Sequence, residues 1–585
     1  MRNIYLPKPH AFAKSALIMA CLIFSLTAQA THIRAGNIFT KSDTTAAKNP
    51  FRYFFKLVTY SVVGGIEDEQ STLYFGDCSA PQTAARTARV MLQNGENNTW
   101  TNTYYFEHTY ASEGAFTVSF VGENRNAGIV NLSNSVQQTF LLTTTITIDQ
   151  FLGLNRSPIL QVPPIDVAAI NSIFVHNPGA YDPDGDSLVF RMTEPRISGN
   201  NNACGEPTSV VAPEYLGLEN FLGTPAENTT ASFGLNATTG QLTWNSPNRW
   251  GEYNIAFVVE EWRNRRLIGR VVRDMQILVK DIPNKPPRLL IPQDLCLVAG
   301  TPLQQIIKAT DAEGQRVDIS SYPGGISGST LIRSTNEQNA YTFTWPTECL
   351  AVRRQPYQVV FRAVDVSQAG VQPLADVQAW RITVVGPAPV ISSVVRQTNN
   401  SIQVNWQNYA CANARNIHIY RKEGPSTFSP AGCETGIPAS SGFIKVGEVT
   451  ANVTSFLDSN NGQGLPADKT YYYRIYADFD EPAGGKSLAS TEIGSTITGL
   501  TDELPLQITF YPNPTKDFFQ VRTTAFIKIY EAEVFTVQGQ RIQSLTAQKS
   551  GEGYSYSVKG LAQGMYIIKL QTSQGQWVQR LVVER

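Results

Sequence analysis

The sequence predicts an all-β chain made of several β-sandwich domains in tandem. Short segments such as "YNIAFVVEEW" and "YYYRIYADF" alternate apolar and polar residues, are rich in Val, Ile, Tyr and Phe, and end near Gly, Pro, Asn or Asp. Turn signals recur at intervals of about 8–12 residues, which is typical of β-sandwiches. Only 16% of the residues are charged, and this balance suits strands with polar outer faces.

The first thirty residues predict a signal peptide. Basic residues precede the apolar run Ser15–Leu26, and Ala28-Gln29-Ala30 forms a small-x-small cleavage site. Because the run is too short for a stop-transfer helix, we expect residues 1–30 to be removed and the mature chain to begin at Thr31. Lipid attachment at Cys21 is the alternative. We expect no transmembrane segment after signal removal, since no later apolar run is long enough.

Proline-rich breaks divide the remaining chain into five pieces. The breaks are "NRSPILQVPP", "DIPNKPPRLLIP", "VGPAPV" and "TDELPLQITFYPNP". Each piece has the natural size of one β-domain. The predicted domains, which we call modules one to four and the C-terminal domain, are residues 31–157, 158–284, 285–386, 387–500 and 508–585.

Modules two and three carry four similar sequence blocks in the same order. The blocks "YDPDGDSLVF", "GQLTWNSP", "YNIAFVVEE" and "DMQILVKD" of module two recur as "TDAEGQRVDI", "YTFTWPTE", "YQVVFRAVD" and "AWRITVVG" in module three. We infer a tandem duplication. It pairs Trp244 with Trp345, Tyr253 with Tyr357, and Glu261 with Asp365.

Charge and cysteine content restrict the possible partners and the compartment. The net charge is −1, and no Lys/Arg cluster is present, which argues against binding to nucleic acid or anionic membranes. Six cysteines follow the signal peptide without zinc-ligand or CxxC spacing, so we expect disulfides in an exported chain. The sequence leaves the connectivity open. The domain limits favour Cys78–Cys204, Cys296–Cys349 and Cys411–Cys433.

Two modules resemble known immunoglobulin-like domains. In module one, "YFGDC" (74–78) followed by "HTYASEGAFTVSF" (108–120) resembles the polycystic-kidney-disease (PKD) type, with Cys78 in place of the last glycine of its FGDG motif. In module four, "SIQVNW" and "KTYYYRIYADFD" resemble a fibronectin type III domain, with Trp406 as the core tryptophan. These resemblances imply that the tandem β-sandwiches are immunoglobulin-like.

Modules two and three resemble cadherin-like immunoglobulin domains, in which calcium lies at the domain junctions. Hard oxygen ligands from separate loops are what Ca²⁺ requires. The resemblance implies a possible calcium site at each of two junctions. The implied ligands are Asp149, Asn155, Asp182, Asp184, Asp186 and Glu261 at the first junction, and Asp281, Asn284, Asp311, Glu313 and Asp365 at the second.

The sequence departs from the cadherin pattern at several positions. The acid of the family's L-D-R-E segment has no counterpart in "TTGQLTWNSP", and Glu313 stands in place of an aspartate. The alternative for Asp182-Pro183-Asp184-Gly185-Asp186 is a type I turn whose aspartates cap backbone amides and face water. An EF-hand is excluded because the twelfth residue counted from Asp182 is Thr193 rather than Glu.

The end of the chain carries the most specific resemblance. The segments "FYPNPTKD" (510–517), "VFTVQGQRI" (534–542) and "LAQGMYIIKLQTSQG" (561–575) resemble the type A C-terminal sorting domain of the Bacteroidetes type IX secretion system. The resemblance implies recognition by the outer-membrane translocon and a secreted or cell-surface location. Its motif residues here are Tyr511, Pro512, Asn513, Pro514, Gly539, Gly564 and Tyr566.

No motif in the sequence predicts an enzyme. The four mature histidines lack metal-ligand spacing, and no G-x-S-x-G elbow or phosphate-binding loop occurs. We expect an adhesin-like binding protein that recognises a glycan or protein through its N-terminal region. The alternatives are a structural spacer or matrix protein of gliding or biofilm layers without a specific ligand, and a secreted hydrolase with an unrecognised module in residues 31–160.

Overall fold

The structure is a computed structural model that describes residues 32–65, 68–92, 98–225, 229–366, 371–397, 399–495, 508–523, 527–537, 539–550, 553–573 and 575–585. The chain divides into two compact units, Met1–Thr496 and Ile497–Arg585. The predicted signal peptide lies outside the described residues. Among the described helices, none is long and apolar enough to cross a membrane.

The described secondary structure consists of β-strands and four 3₁₀ helices, which confirms the predicted all-β fold class. Alternation along the strands explains it. In strand β2 (Arg52–Val62), for example, Tyr53, Phe55 and Leu57 are buried while the residues between them are more exposed, as the period of two requires. The 3₁₀ helices are Ser135–Gln137, Leu218–Phe221, Cys349–Ala351 and Ala439–Ser441.

Module one contributes eight strands. Its core is aromatic, with Phe55, Phe75, Phe120 and Phe140 at most 3% exposed. The strands are β1 (Ile33–Ser42), β2 (Arg52–Val62), β3 (Gln70–Tyr74), β4 (Gln82–Ala85), β5 (Ala88–Met91), β6 (Thr99–Thr109), β7 (Gly114–Gly122) and β8 (Phe140–Ile148).

Module two contributes eleven strands. They are β9 (Ile159–Leu160), β10 (Ile165–Ala169), β11 (Ile173–His176), β12 (Ala180–Tyr181), β13 (Ser187–Thr193), β14 (Arg196–Asn201), β15 (Pro207–Val211), β16 (Ser232–Leu235), β17 (Leu242–Asn245), β18 (Gly251–Arg263) and β19 (Arg266–Lys280). One sheet has the order β11-β17-β16, a larger sheet joins β13, β18, β19 and β10, and the pairs β12-β9 and β14-β15 form two small sheets.

Modules one and two share a sheet of twelve strands, so the predicted boundary at residue 157 does not separate two sheets. Strand β19 pairs with β8 through Gly269–Val271, with β1 at Asp274, and with β10 through Gln276–Lys280. At about 3.3 Å per residue, its 15 residues extend about 50 Å. A strand of that length can continue from one module into the next.

Module three contributes eight strands in two sheets, β20-β22-β25-β24 and β21-β27-β26-β23. The strands are β20 (Arg288–Leu290), β21 (Leu295–Val298), β22 (Leu303–Thr310), β23 (Val317–Tyr322), β24 (Thr330–Arg333), β25 (Ala340–Trp345), β26 (Tyr357–Asp365) and β27 (Ala375–Val385).

The geometry of modules two and three agrees with a tandem duplication. Trp244 and Tyr253 meet edge to face with ring centroids 4.9 Å apart, and Trp345 and Tyr357 meet in the same way at 5.1 Å. Each module also places one parallel strand at the same edge, with β10 beside β19 and β21 beside β27.

Module four contributes seven strands, in the sheets β28-β29-β32 and β31-β30-β33-β34. Trp406 is 3% exposed, as expected for a core tryptophan. The strands are β28 (Ile391–Arg396), β29 (Ile402–Trp406), β30 (Ala414–Glu423), β31 (Ile444–Thr450), β32 (Ser455–Asp458), β33 (Tyr471–Phe479) and β34 (Ile493–Gly494).

The C-terminal domain forms two four-stranded sheets, β35-β36-β40-β39 and β38-β37-β41-β42. Phe519, Val534 and Ile568 are fully buried in its core. The strands are β35 (Ile508–Tyr511), β36 (Phe518–Thr523), β37 (Ile529–Thr536), β38 (Arg541–Leu545), β39 (Ala547–Ser550), β40 (Gly553–Ser557), β41 (Gly564–Thr572) and β42 (Gly575–Val583).

The six cysteines form three disulfides, and each disulfide joins two different modules. Cys78–Cys204 is present as predicted and links modules one and two. The predicted pairs Cys296–Cys349 and Cys411–Cys433 are wrong. The structure instead pairs Cys296 with Cys433 and Cys349 with Cys411, so two bonds link modules three and four. For these two pairs the prediction assumed that the bonds stay inside modules three and four, whereas these modules pack closely enough to be cross-linked.

Modules two, three and four also contact one another without covalent bonds. The guanidinium Nη2 of Arg362 in module three lies 3.3 Å from Asp166 Oδ1 in module two. Gln358 Nε2 donates to the Thr239 carbonyl across the same interface at 2.8 Å. A Cβ added at Gly185 of module two would lie 2.8 Å from the Cα of Ala483 in module four. Non-consecutive modules therefore meet.

Candidate metal centre

The turn Asp182–Asp186 connects β12 to β13 and is closed by its first aspartate. Asp182 Oδ1 accepts the backbone N–H of Asp184 at 2.8 Å and that of Asp186 at 3.0 Å. The N–H of Gly185 donates to the Asp182 carbonyl at 3.3 Å, and Gly185 has φ +86°, which glycine adopts without strain. The predicted tight turn with capped backbone amides is therefore present, but Asp182 and Asp186 are buried and do not face water as predicted.

The carboxylates of this turn lie close together and are shielded from water. Asp182, Asp184 and Asp186 each offer an oxygen within 4.8 Å of the others. Asp182 is 5% exposed and Asp186 is 7% exposed. Glu261 of β18 is fully buried and interacts electrostatically with Asp182 and Asp186. We call these four residues the acidic cluster.

Two guanidinium groups contact the acidic cluster. Arg263 Nη2 donates to Asp186 Oδ2 at 2.5 Å, and Arg263 Nε lies 2.9 Å from Asp186 Oδ1. Arg156 Nη2 donates to Asp184 Oδ1 at 2.6 Å, and its backbone N–H donates to Asp184 Oδ2 at 2.8 Å. Asp184 and Asp186 are therefore paired.

The remaining carboxylate oxygens have no hydrogen-bond partner. Glu261 Oε1 and Oε2 and Asp182 Oδ2 are buried and unpartnered. Burial raises the pKa of Glu261 well above its ordinary value and the charges of Asp182 and Asp186 raise it further, while Asn155 and Arg263 oppose this shift only in part. Burial likewise raises the pKa of Asp182 to about 7. Unpaired buried charge is costly, so the cluster favours either protons or a cation.

The donor set fits a hard divalent cation. A cation would be held by Asp182, Asp184 and Asp186, whose carboxylate oxygens lie within 4.8 Å of one another and suit Ca²⁺, with Glu261 adding buried negative charge beside them. The oxygen of Asn155, which the sequence also implied, already accepts from Arg263 at 2.8 Å, and Arg263 donates to the nearby carbonyls of Leu152 and Leu154 as well. The guanidinium of Arg263 thus places its positive charge beside oxygens that a metal ion with more ligands would otherwise use.

Asp149 does not belong to the acidic cluster. Its Oδ1 accepts the N–H of Phe151 at 2.8 Å, and its Oδ2 lies 3.5 Å from Arg266 Nη1. These contacts are those of a loop cap with an exposed ion pair, which contributes little stability. Asp149 therefore stabilises its own loop rather than contributing to the acidic cluster.

The corresponding turn of module three has the same backbone but a different set of side-chain contacts. Asp311 Oδ1 accepts the N–H groups of Glu313 and Gln315 at 3.1 and 2.7 Å. Asn284 Nδ2 donates to Asp365 Oδ2 at 2.8 Å, and Asn284 Oδ1 accepts from Gln315 Nε2 at 3.0 Å. Amide groups therefore satisfy the buried Asp365.

At the second predicted calcium site, less uncompensated buried charge consequently remains for a cation to neutralise. Burial raises the pKa of Asp365, but Asn284 and the Leu374 N–H both donate to its carboxylate. Glu313 and Asp281 are exposed. Of the residues implied at this junction, the structure brings together Asn284, Asp365 and the Asp311 turn.

Sequence analysis did not identify the two arginines at the first junction. Arg263 lies two residues after Glu261 on the same strand, and alternate strand residues share a face. The segment "EEWR" therefore contained a signal that Arg263 would reach the acids. Arg156 follows Asn155, so the same linker supplies both an amide and a guanidinium group.

The sorting-motif residues hold strands of the C-terminal domain together. Asn513 Nδ2 donates to the Arg580 carbonyl at 2.7 Å, and Asn513 Oδ1 accepts the Val582 N–H at 2.8 Å. Tyr566 Oη donates to the Ala562 carbonyl at 2.8 Å. Gly539 has φ +86° in the turn after β37. The hairpin residues Gln538 and Gln574 lie outside the described residues.

Comparison with protein families identifies the C-terminal domain. Residues 509–584 match the model of the secretion system C-terminal sorting domain. This domain marks proteins exported by the type IX secretion system to the cell surface or extracellular space, so the predicted export route and location are confirmed.

Comparisons with other proteins give only distant likenesses. None of the curated proteins matches this chain. The titin domains A168–A170 are 11% identical with a TM-score of 0.17, over 58% of this chain and 97% of that chain. Sidekick-1 immunoglobulin domains 1–5 are 9% identical with a TM-score of 0.18, over 90% and 94%. Chicken CNTN1 domains FN1–FN3 are 13% identical with a TM-score of 0.17, over 51% and 98%. These likenesses are too distant to indicate a function.

Proposed function

We propose that this exported protein is an adhesin-like binding protein in which modules one to four form one rigid platform. The observation that carries the proposal is the contact of Gly185 in module two with Ala483 in module four. The Arg354 N–H of module three also donates to the Ala483 carbonyl at 2.9 Å. A binding surface made from several modules requires such fixed relative positions, since preorganisation lowers the cost of binding.

The disulfides support the same function. Each bond joins two modules, and a cross-link of this kind removes conformational freedom from the chain. A spacer that only extends from the cell gains nothing from folding module four back against module two. The contact between these non-consecutive modules therefore favours a binding platform over a spacer.

We also propose that Ca²⁺ binds the acidic cluster and stabilises the junction of modules one and two. The unpartnered oxygens of Glu261 and Asp182 support this proposal. Extracellular calcium modules bind with dissociation constants of roughly 0.1–1 mM, so about 10 mM calcium would stabilise the platform by about 1.4–2.7 kcal/mol.

We propose no catalytic role for the chain. His108 Nε2 lies 2.7 Å from Asp77 Oδ2, and its ring stacks on Phe75 with centroids 4.1 Å apart. Cys78 has φ +64° in the same turn, a left-handed conformation that suits the glycine of the PKD-type motif. These contacts support a structural role for His108.

The binding function is tested with the full chain, its disulfides formed, on immobilised cells and on surface glycans. We expect saturable binding that resists competition by an unrelated β-sandwich protein. Reversible self-association without any binding to cells or glycans would instead support the spacer. Turnover of a surface polymer would show that the protein is an enzyme.

A further inference from the structure

Trp250 is the one exposed tryptophan of the chain. All eight tryptophans lie in the described residues, and Trp250 is 68% exposed, whereas the other seven are buried or half-buried. A large apolar ring exposed to water costs free energy unless it serves an interface, where tryptophan is enriched. Trp250 directly precedes β18, whose long pairing with β19 fixes the backbone beside it.

The indole lies in a groove at the seam of modules one and two. The groove has a volume of about 570 Å³, within the range of ligand-binding pockets. Module one contributes Asn98, and module two contributes one end of the β18–β19 pairing, where the first residues of β18 lie opposite the last residues of β19. The polar and aromatic side chains that line the groove include Asn98, Trp250, Glu252, Lys280 and Asp281. Asp281, which the sequence implied as a calcium ligand, lines this groove instead.

Polar groups of both signs surround the indole. Glu252 Oε1 accepts from Arg34 Nη2 at 2.8 Å and its Oε2 accepts from Asn126 Nδ2, so the charge of Glu252 is neutralised within the protein. Lys280 and Asp281, which carry opposite charges, also line the groove, and the Lys280 ammonium donates to Gln372 Oε1 at 3.3 Å. The groove thus combines a flat apolar face, hydrogen-bond acceptors and no strong excess of charge.

We propose that this groove binds a neutral saccharide, an inference that rests on the proposed binding function and names its ligand. A pyranose ring presents an apolar C–H face that packs on an indole, and a rim of hydroxyls that hydrogen-bond to carboxylates and amides. The balanced charge favours a neutral sugar over a sulfated or sialylated one, because an acidic sugar would meet Asp281 and Glu252 without a cationic cluster. An apolar protein side chain would leave the surrounding polar groups unpaired.

The test is binding of the full chain, with its disulfides formed, to an array of neutral, sialylated and sulfated glycans. The strongest glycan is then titrated against variants. Trp250→Ala should weaken binding about tenfold or more, as expected for a central aromatic anchor. Trp250→Phe should retain part of the affinity, and Asp281→Asn should weaken it. Tyr105→Ala, which removes another exposed aromatic of the same unit, is the matched control.

The possible results distinguish failure of the proposed groove site from failure of the proposed binding function. If Trp250→Ala and the unaltered chain bind the glycan equally well, the groove is not the glycan site, although the proposed binding function still holds. Binding to acidic glycans alone, or Trp250-dependent binding to a protein without any glycan signal, would overturn the ligand class. No binding to glycans or cells would remove both proposals. An unchanged melting temperature of Trp250→Ala shows that the exposed substitution leaves the fold intact.

Discussion

At the first junction, individual side chains determine whether buried acids need a cation. Modules two and three share the turn backbone, yet Asp365 receives an amide donor from Asn284, while the equivalent Glu261 has unpartnered oxygens. Arg263 pairs with Asp186 and does not satisfy Glu261. The equivalent buried carboxylates of the two duplicated modules therefore have different environments: hydrogen bonds satisfy Asp365, whereas the oxygens of Glu261 lack them.

The stability of the calcium-free protein should fall as pH rises towards neutrality. Burial raises the pKa of Asp182 in the folded state to about 7, from an ordinary value of 3.8, so the folded state binds more protons than the unfolded state between these values. Stability that is present at low pH is then lost as pH rises through the folded pKa. Melting in chelator at pH 5 and pH 8 measures this.

Calcium should reverse that loss, because it replaces the protons at the acidic cluster. The rise in melting temperature on adding calcium should be larger at pH 8 than at pH 5. A calcium effect of equal size at both pH values would contradict binding at these carboxylates.

Replacing Glu261 by Gln should remove the need for a cation. Since Glu261→Gln eliminates a buried charge, the variant should be about 1–3 kcal/mol more stable in chelator and should lose most of the calcium response. Denaturant unfolding with and without calcium checks both results.

Asp365→Asn is the matched control in module three. Asp365 accepts hydrogen bonds from Asn284 and from the Leu374 N–H, so its substitution should destabilise the protein while preserving the calcium response. Loss of the calcium response in this variant, with retention in Glu261→Gln, would place the cation in module three.

Among the structural elements, β19 and the disulfides define how modules are joined. Strand β19 pairs with strands of both module one and module two. The disulfide Cys349–Cys411 joins the 3₁₀ helix Cys349–Ala351 to the segment before β30. The modules are thus connected by pairing and cross-links as well as by the covalent chain.

Removing Cys349–Cys411 by a double Cys→Ser substitution should lower the free energy of unfolding by about 4 kcal/mol, from the 62-residue separation of its ends. Denaturant unfolding measures the loss. Mapping of non-reduced peptides provides the control, and a Cys296–Cys349 peptide would contradict the connectivity.

Local sequence patterns correctly predicted the structural features that depend on residues close together in the sequence. Strand alternation, the Asp182 turn and the correspondence of Trp244 with Trp345 all follow from short segments, and each is present in the structure. The disulfide pairing of Cys296 and the contacts of Arg263 depend on how modules pack. No local pattern encodes that packing, so domain limits led to the wrong partners.

For the molecule as a whole, the two units differ in role. The C-terminal domain carries the export signal. In the larger unit, a shared sheet joins modules one and two, the Arg362–Asp166 ion pair lies between modules two and three, and two disulfides join modules three and four. We therefore expect modules one to four to behave as one rigid body, because a shared sheet, an ion pair or disulfides join each successive pair of modules.

Calorimetry of the full, oxidised chain tests this claim most directly. Independent modules unfold in separate transitions, whereas fastened modules unfold together. We predict one cooperative transition for modules one to four and a second for the C-terminal domain, with the van't Hoff enthalpy of the first equal to its calorimetric enthalpy. Separate transitions for the individual modules would contradict a rigid platform.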